Sequence, residues 1–303
     1  MSDDLTFDAQ PPARAGECMR VSPLVRRIIA NNPGPITFTG TCSYIVGSGQ
    51  VAIIDPGPDL PEHIDALLAA VQGETVTHIL VTHTHKDHSP AARAIKAATG
   101  ARLVGCSPHR SARALFDGEV NLLETSSDRD YAPDQELAEG DRIEGPGWSL
   151  EALATPGHMA NHLAFALPEE TALFSGDHVM AWSTTVVAPP DGSMSDFMAS
   201  LDKLRGRDET VYWPGHGGPV REPQRFVRAL AHHRRQREAS ILNRLAAGDR
   251  TIPAIVAAIY QGLKPALIGA AGLSVFAHLE DLVAKGLVRT DGAPSLDGEY
   301  RLA

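Results

Sequence analysis

Three histidines and an aspartate crowd into six residues, His83-Thr84-His85-Lys86-Asp87-His88. Neutral imidazole and carboxylate are the side chains that hold zinc, iron or manganese. The stretch follows Val76-Thr77-His78-Ile79-Leu80-Val81-Thr82, whose apolar and β-branched residues read as a buried strand. Ser89 and Pro90 then stand where a helix would be capped and started. A strand-to-helix loop of this kind is where α/β folds build their sites. Three pieces downstream repeat the pattern: Thr155-Pro156-Gly157-His158, Phe174-Ser175-Gly176-Asp177 and Pro214-Gly215-His216-Gly217. Each closes a strand-like run with Gly and a ligand-type residue, so all can project from one rim. His83 and His85, two apart in extended chain, point to one side and can share a metal.

The elements that must carry these residues are legible as short strands and outer helices. Ile36 to Val46 and Val51 to Asp55 read as a hairpin about Gly47-Ser48-Gly49. A helix from Pro61 to Gln72 follows, with Ile64, Leu67, Leu68 and Val71 on one stripe. Pro90 to Thr99 is a second helix, stopped by Gly100, and Arg102 to Cys106 another strand. Residues 117–146 read as loop with a short strand or two. Then come Ser149–Thr155, His162–Leu167, Thr171–Phe174 and Val211–Trp213 as a second strand set. The first thirty-odd residues, rich in Pro and polar groups, are expected to wrap the surface. Two strand sets with outer helices imply two sheets packed face to face. From Gln224 a basic helix (Arg225, Arg228, Arg234, Arg235, Arg237, Arg244) runs to Gly248. A helix capped by Thr251, a helix over Leu273–Lys285 and a terminal hairpin (287–289 with 300–302) complete the layout of a winged helix.

The chain has 303 residues, 43% of them apolar and 21% charged, which suits a soluble globular protein of one large domain plus a small one. No run approaches the ~20 apolar residues of a membrane span. The acidic N-terminus lacks an apolar signal core, and three scattered cysteines (Cys18, Cys42, Cys106) suit a reducing cytoplasm. Residues 1–220 carry 15 basic against 29 acidic side chains, and residues 221–303 carry 12 against 8. The acidic body argues against nonspecific nucleic-acid binding, which depends on phosphate neutralisation.

With Asp55 after the second strand, the four ligand pieces resemble the five motifs of the metallo-β-lactamase superfamily, over about residues 36–220. The resemblance implies an αββα sandwich with a metal site between the sheets. It implies a first metal on His83, His85 and His158, a second on Asp87, His88 and His216, and Asp177 bridging both. It also implies hydrolysis by a metal-activated water, with Asp87 as the catalytic carboxylate and two zinc ions as cofactors, iron or manganese being the alternatives. Asp55 is expected to hydrogen-bond the ligand loop, His162 to lie behind the ligands, His78 to be a core histidine of the buried strand and His178 to be structural. Asn161 and Ser183-Thr184-Thr185 lie near the expected rim.

Within the family, the two-zinc secreted β-lactamases place Cys where Asp177 stands, and flavodiiron oxidoreductases place Glu where His85 stands. Glyoxalase II enzymes share the ligands and the spacing of His158 and His162, but have a different C-terminal part. The C-terminal layout is similar to the lactamase-like subfamily with a winged-helix extension, which includes single-strand endoribonucleases; Thr39-Gly40-Thr41 supports this, and Cys42 departs from the Asn expected there. The reading is therefore α/β: residues 1–220 a metallo-β-lactamase catalytic domain, residues 221–303 a small winged helix. The expected activity is dinuclear hydrolysis of a small ester, thioester or phosphodiester in the cytoplasm. A single-strand endoribonuclease and a mononuclear iron persulfide dioxygenase, using only His83, His158 and Asp177, are the alternatives. Partners are a small-molecule substrate or single-stranded RNA, with no duplex DNA and no membrane. Glu280 and Asp281 on the third winged-helix segment would repel phosphates, so that helix is expected to be a buttress or a homodimer surface.

Overall fold

The computed structural model describes residues 5–303. In the first sheet, β1 (Met19–Arg20), β2 (Val25–Ile29), β3 (Cys42–Ser48), β4 (Gln50–Ile54), β5 (Thr75–Val81), β6 (Arg102–Gly105) and β7 (Gln135–Glu136) lie in that order. The first four are antiparallel neighbours, and β4 through β7 are parallel. The β3–β4 hairpin turns at Gly49, whose left-handed φ of 72° suits a residue without Cβ. Two expectations fail here. The strand expected from Ile36 begins only at Cys42, because residues 34–40 fold back on themselves through a Gly34–Phe38 pairing. The N-terminal region does not merely wrap the surface: β2 is mostly buried and pairs along its whole length with Cys42–Val46 of β3.

Helices α1 (Pro61–Ala70) and α2 (Ala92–Thr99) follow β4 and β5. Ser89 is not the cap of α2. The helix starts at Ala92 without a side-chain cap, and Ser89 Oγ instead donates to Asp128 Oδ2 at 2.8 Å. That contact ties the ligand loop to residues 124–128, which also bond Lys86 N and Thr84 O.

The second sheet is built from β8 (Arg142–Gly145), β9 (Trp148–Ala154), β10 (Leu163–Leu167), β11 (Ala172–Gly176), β12 (Val211–Pro214) and β13 (Val220–Arg221). They lie in reverse order, β13 to β8, with only β11 and β12 parallel. Strand alternation divides their side chains between two cores. Leu163, Phe165, Leu167, Phe174 and Trp213 face the first sheet, packing with Tyr44, Ile53 and Leu80. Ala164, Ala166, Leu173 and Tyr212 face outward onto helices. One of those helices, α3 (Met194–Arg205), lies in the β11–β12 connection. Ser193 caps it by accepting from Asp196 N, and it buries Met194, Phe197, Leu201 and Leu204. Four such side chains, each worth about 1.5–3 kcal/mol when buried, outweigh any weakness of local helix propensity.

Helix α4 (Pro223–Ala246) runs through two cores: Val227 and Leu230 pack under the second sheet, while Ile241 and Leu245 join a third cluster. That cluster is the winged helix, formed with α5 (Ile252–Ile259), α6 (Ile268–Ala284) and the hairpin β14 (Val288–Thr290) and β15 (Tyr300–Leu302). Thr251 caps α5 as expected, accepting from Ala254 N. The chain therefore has an αββα sandwich followed by a small helical unit. A division at residue 220/221 is our proposal, with α4 as the shared strut. Segment Pro265–Ala284 is long and apolar enough to cross a membrane by composition, contrary to expectation, yet 50% of its apolar window is buried within the fold.

Candidate metal centre

Five strand ends converge at one edge of the sandwich. Asp55 follows β4, the His83–His88 loop follows β5, His158 follows β9, Asp177 follows β11 and His216 follows β12. The two sheets are pinned together there: Cys42 N donates to Gly215 O at 2.7 Å, and Thr41 bridges to His216. Gly215 is required by close approach, since a Cβ would sit 2.3 Å from Asp177 Oδ1 and 2.7 Å from His88 Cε1.

All seven sequence-predicted metal residues come together, in two groups. His83 Nε2, His85 Nδ1 and His158 Nε2 lie within reach of one another, at 3.0 Å for His83–His85 and 3.1 Å for His85–His158. Asp177 Oδ2 is 3.9 Å from His83 Nε2 and 3.7 Å from His158 Nε2. The second group is Asp87, His88 and His216, with Asp87 Oδ2 at 3.4 Å from His88 Nε2 and 3.2 Å from His216 Nε2. Asp177 reaches this group too, through Oδ1 to His88 Nε2 at 3.5 Å and Oδ2 to His216 Nε2 at 3.3 Å.

The far sides of the rings assign their tautomers. Asp55 Oδ2 accepts the Thr82 hydroxyl, so Thr82 Oγ1 is left to accept from His83 Nδ1 at 3.0 Å. His158 Nδ1 donates to Val186 O at 2.7 Å, and His216 Nδ1 faces Gly40 O at 3.3 Å. His88 Nδ1 donates to Asp55 Oδ2 at 2.9 Å. In each ring the remaining nitrogen then faces the centre, and on His83 and His158 it presents a lone pair. Lone pairs and carboxylates converging at 3.0–3.9 Å repel unless a cation lies among them. Four ligands at tetrahedral angles around zinc would lie about 3.3–3.4 Å apart, given metal–ligand bonds of about 2.0–2.1 Å. His88 Nε2 and Asp177 Oδ1, both buried, have no hydrogen-bond partner at all. The donor set fits divalent metal binding.

The electrostatics of the ion-free chain say the same. Burial, with the neighbouring His158, pushes His85 down to about 3, and burial also lowers His83 and His158, so the three imidazoles of the first group stay neutral and ligand-ready. Burial disfavours charge on His216 as well, but Asp177 and Asp87 outweigh it and raise its pKa to about 10; Asp87, Asp177 and Asp55 similarly raise His88. Burial likewise opposes ionised Asp87, yet His88 and His216 hold it well below the usual carboxylate range. Protons occupy the second group where a metal would supply the charge.

Asp55 acts as expected, holding the ligand loop: it also accepts from Thr82 N at 2.8 Å. His162 is buried behind the site, with Nδ1 on Thr155 Oγ1 at 2.8 Å and Nε2 accepting from Asp177 N at 3.1 Å. His178 is buried against the Phe197 ring, 4.4 Å between centroids, and takes no part. His78 is only half-buried, its register neighbour being the exposed Arg102, so it is not a core histidine. Asn161 leaves the rim for the interior, donating to Thr84 Oγ1 and Ser107 O, and Thr185 likewise bonds Asp177 O. Only Ser183 and Thr184 of that stretch line the cavity above the ligands. Asn32 belongs to the site although the sequence reading missed it. Asn32 Oδ1 accepts from Thr41 N and Nδ2 donates to Thr41 Oγ1, which in turn donates to Asp87 Oδ2 at 3.2 Å. The cavity wall was missed as well, about 700 Å³ of space lined by Met180, Trp182 and residues of α6. Thr39-Gly40-Thr41 was a usable signal for the first; nothing local marks the second.

Comparison with known proteins agrees with this geometry. Residues 36–216 match the metallo-beta-lactamase superfamily, and residues 251–297 match the beta-lactamase associated winged helix domain. The chain is 32% identical to a beta-lactamase-like protein 2 homolog of Caenorhabditis elegans, over 74% of this chain and 71% of that one. It is 28% identical to an atrochrysone carboxyl ACP thioesterase of Aspergillus terreus, over 82% and 70%. The crystal structure of a metallo-beta-lactamase family protein from Thermus thermophilus superposes with a TM-score of 0.74 at 25% identity, covering 94% of this chain and all of that one.

Proposed function

We propose, for a chain that belongs to the metallo-β-lactamase superfamily and is a metal-dependent hydrolase, that it cleaves a small acyl thioester or ester at a dinuclear centre. The observation that carries this reading is the convergence of two complete donor groups sharing Asp177 beside one small-molecule-sized cavity. The thioesterase name of the Aspergillus relative supports the thioester. Two zinc ions are the proposed metals, held by His83, His85, His158 and Asp177 and by Asp87, His88, His216 and Asp177. Bound metals would lower the pKa of water to about 7 and polarise the carbonyl oxygen.

The chain's own residues do the rest. Asp87 lines the cavity and is anchored by Thr41, so it is placed to orient the attacking water and take its proton. Water adds to the carbonyl carbon, the C–S or C–O bond breaks, and the leaving thiol or alcohol departs with a proton, leaving a carboxylic acid. His162 and Asp55 hold the ligands from behind.

RNA fits this surface poorly. Arg225, Arg235 and Arg244 on α4 pair with Glu222, Asp202 and Asp249, Arg237 covers the Tyr260 ring, and Arg234 is buried. Among the described residues, Lys86 is the one lysine or arginine lining the cavity. Three free cysteines, with Cys18 exposed, suit the reducing cytoplasm we propose as its setting. The test is turnover of acetyl and longer thioesters by zinc-loaded protein beside Asp87→Asn, with single-stranded RNA as a competing substrate. Thioester cleavage that falls about 10²–10⁴-fold in the variant supports the reading. RNA cleavage without thioester cleavage would overturn it.

A further inference from the structure

The winged helix does more than buttress the sandwich. Leu267, Ala270 and Leu273, at the start of α6, line the same cavity as His85, Asp87, His158, Asp177 and His216. Met180, Trp182 and Val186 line it from the sandwich. Trp182 is fixed in place: its ring stacks on Phe38 at 4.9 Å and 13°, and its Cδ1 lies where Gly217 leaves no room for a Cβ, 2.7 Å away. Helix α6 is held equally firmly. Phe276 and Leu279 lie in the winged-helix core, Ala277 packs into the core under the second sheet, and Glu280 pairs with Arg113 of the catalytic half. Arg113 in turn pairs with Glu119 at 2.6 Å and covers the Phe116 ring. The wall is therefore preorganised, and it is apolar on both sides.

From this we infer that the two domains jointly form an acyl-binding pocket, and that the substrate carries an apolar acyl group longer than acetyl, seated between Trp182 and the first turns of α6. The inference rests on the hydrolase reading for its thioester bond, and on the wall for its acyl class. An apolar chain in this space removes the half-buried Leu267, Ala270, Trp182 and Val186 from water, whereas a phosphate or sugar would meet few polar partners there. A pocket that rewards extra methylenes discriminates between chain lengths by about 10-fold or more.

The test compares kcat/KM for octanoyl and acetyl thioesters of one small thiol, using zinc-loaded full-length protein, Ala270→Glu and Leu267→Ser. Metal content and Tm are measured on each, and octanoate and acetate binding by calorimetry. The octanoyl-to-acetyl ratio is expected to exceed about 10 and to fall at least about tenfold in Ala270→Glu, with Leu267→Ser intermediate. Equal rates for the two thioesters, or a ratio that neither variant moves, overturn the pocket and leave the hydrolase reading standing. Should no thioester be turned over, the calorimetry decides. Octanoate binding stronger than acetate, and weakened in Ala270→Glu, upholds the pocket while the hydrolase reading fails; no such preference overturns the pocket as well.

Discussion

Asp55 orients the second donor group without facing it. One carboxylate oxygen fixes Thr82 N, and the other holds the Thr82 hydroxyl and His88 Nδ1. Asp55 also sits at a left-handed φ of 49°, which Asn tolerates better than most residues. Asp55→Asn should therefore keep the backbone while losing the charge that orients His88. Its affinity for the second metal is expected to fall by about 10–100-fold in a chelator competition, with the fold unchanged by circular dichroism. Unaltered affinity would mean that His88 is held by its neighbours alone. The clustering of the seven candidate ligands was legible in the sequence because metal chemistry admits few side-chain types. Asn32 was legible only through its partner: Thr39-Gly40-Thr41 marked the segment, but the pairing spans nine residues across a turn that folds only in three dimensions.

Glycines at the strand ends test how elements carry the site. At Gly215 a Cβ would strike Asp177 Oδ1, whereas at Gly157 it would meet Phe197 Cα at 2.3 Å, on the backbone of α3. Gly215→Ala should shift a ligand and lose metal while the protein still folds. Gly157→Ala, which also sits at φ 134°, should destabilise the whole chain by about 1–3 kcal/mol or more, read as a lower midpoint in urea. If both variants bind metal normally, the rim is softer than the packing implies. Helix α3 carried a readable stripe of Met194, Phe197, Leu201 and Leu204 with a Ser193 cap, and was overlooked beside the ligand motifs. Strand β2 gave little warning: Arg26 and Arg27 interrupt its apolar run, and Arg27 is nonetheless buried, with Nη2 donating to Pro12 O. Non-local partners, not local pattern, decide such segments.

At the scale of the whole molecule, buried histidines away from the candidate metal centre contribute to acid sensitivity. Burial lowers His63 to about 4 and His278 to about 3, from an ordinary value of 6.5. The unfolded chain thus binds more protons than the folded one below pH 6.5. Stability is fully present above that pH and is lost as pH falls towards 4 and then 3, by up to about 1.4 kcal/mol per pH unit for each group. His278→Phe should flatten the decline in Tm over that window, and an unchanged slope would place the acid sensitivity elsewhere. The two-domain plan was legible because an αββα strand pattern and three helices with a hairpin each have their own signature. The joint cavity was not, because α6 meets Trp182 only through tertiary packing some ninety residues apart in sequence.

The central claim is that two metals, held by two donor groups sharing Asp177, perform hydrolysis together. Metal-free protein titrated with zinc, while bound metal per chain and thioester turnover are measured on the same samples, tests it most directly. Two zinc ions per chain, with most turnover appearing between the first and second equivalents, is the predicted result. Saturation at one ion per chain with full turnover, or activity only with a single iron, would contradict it.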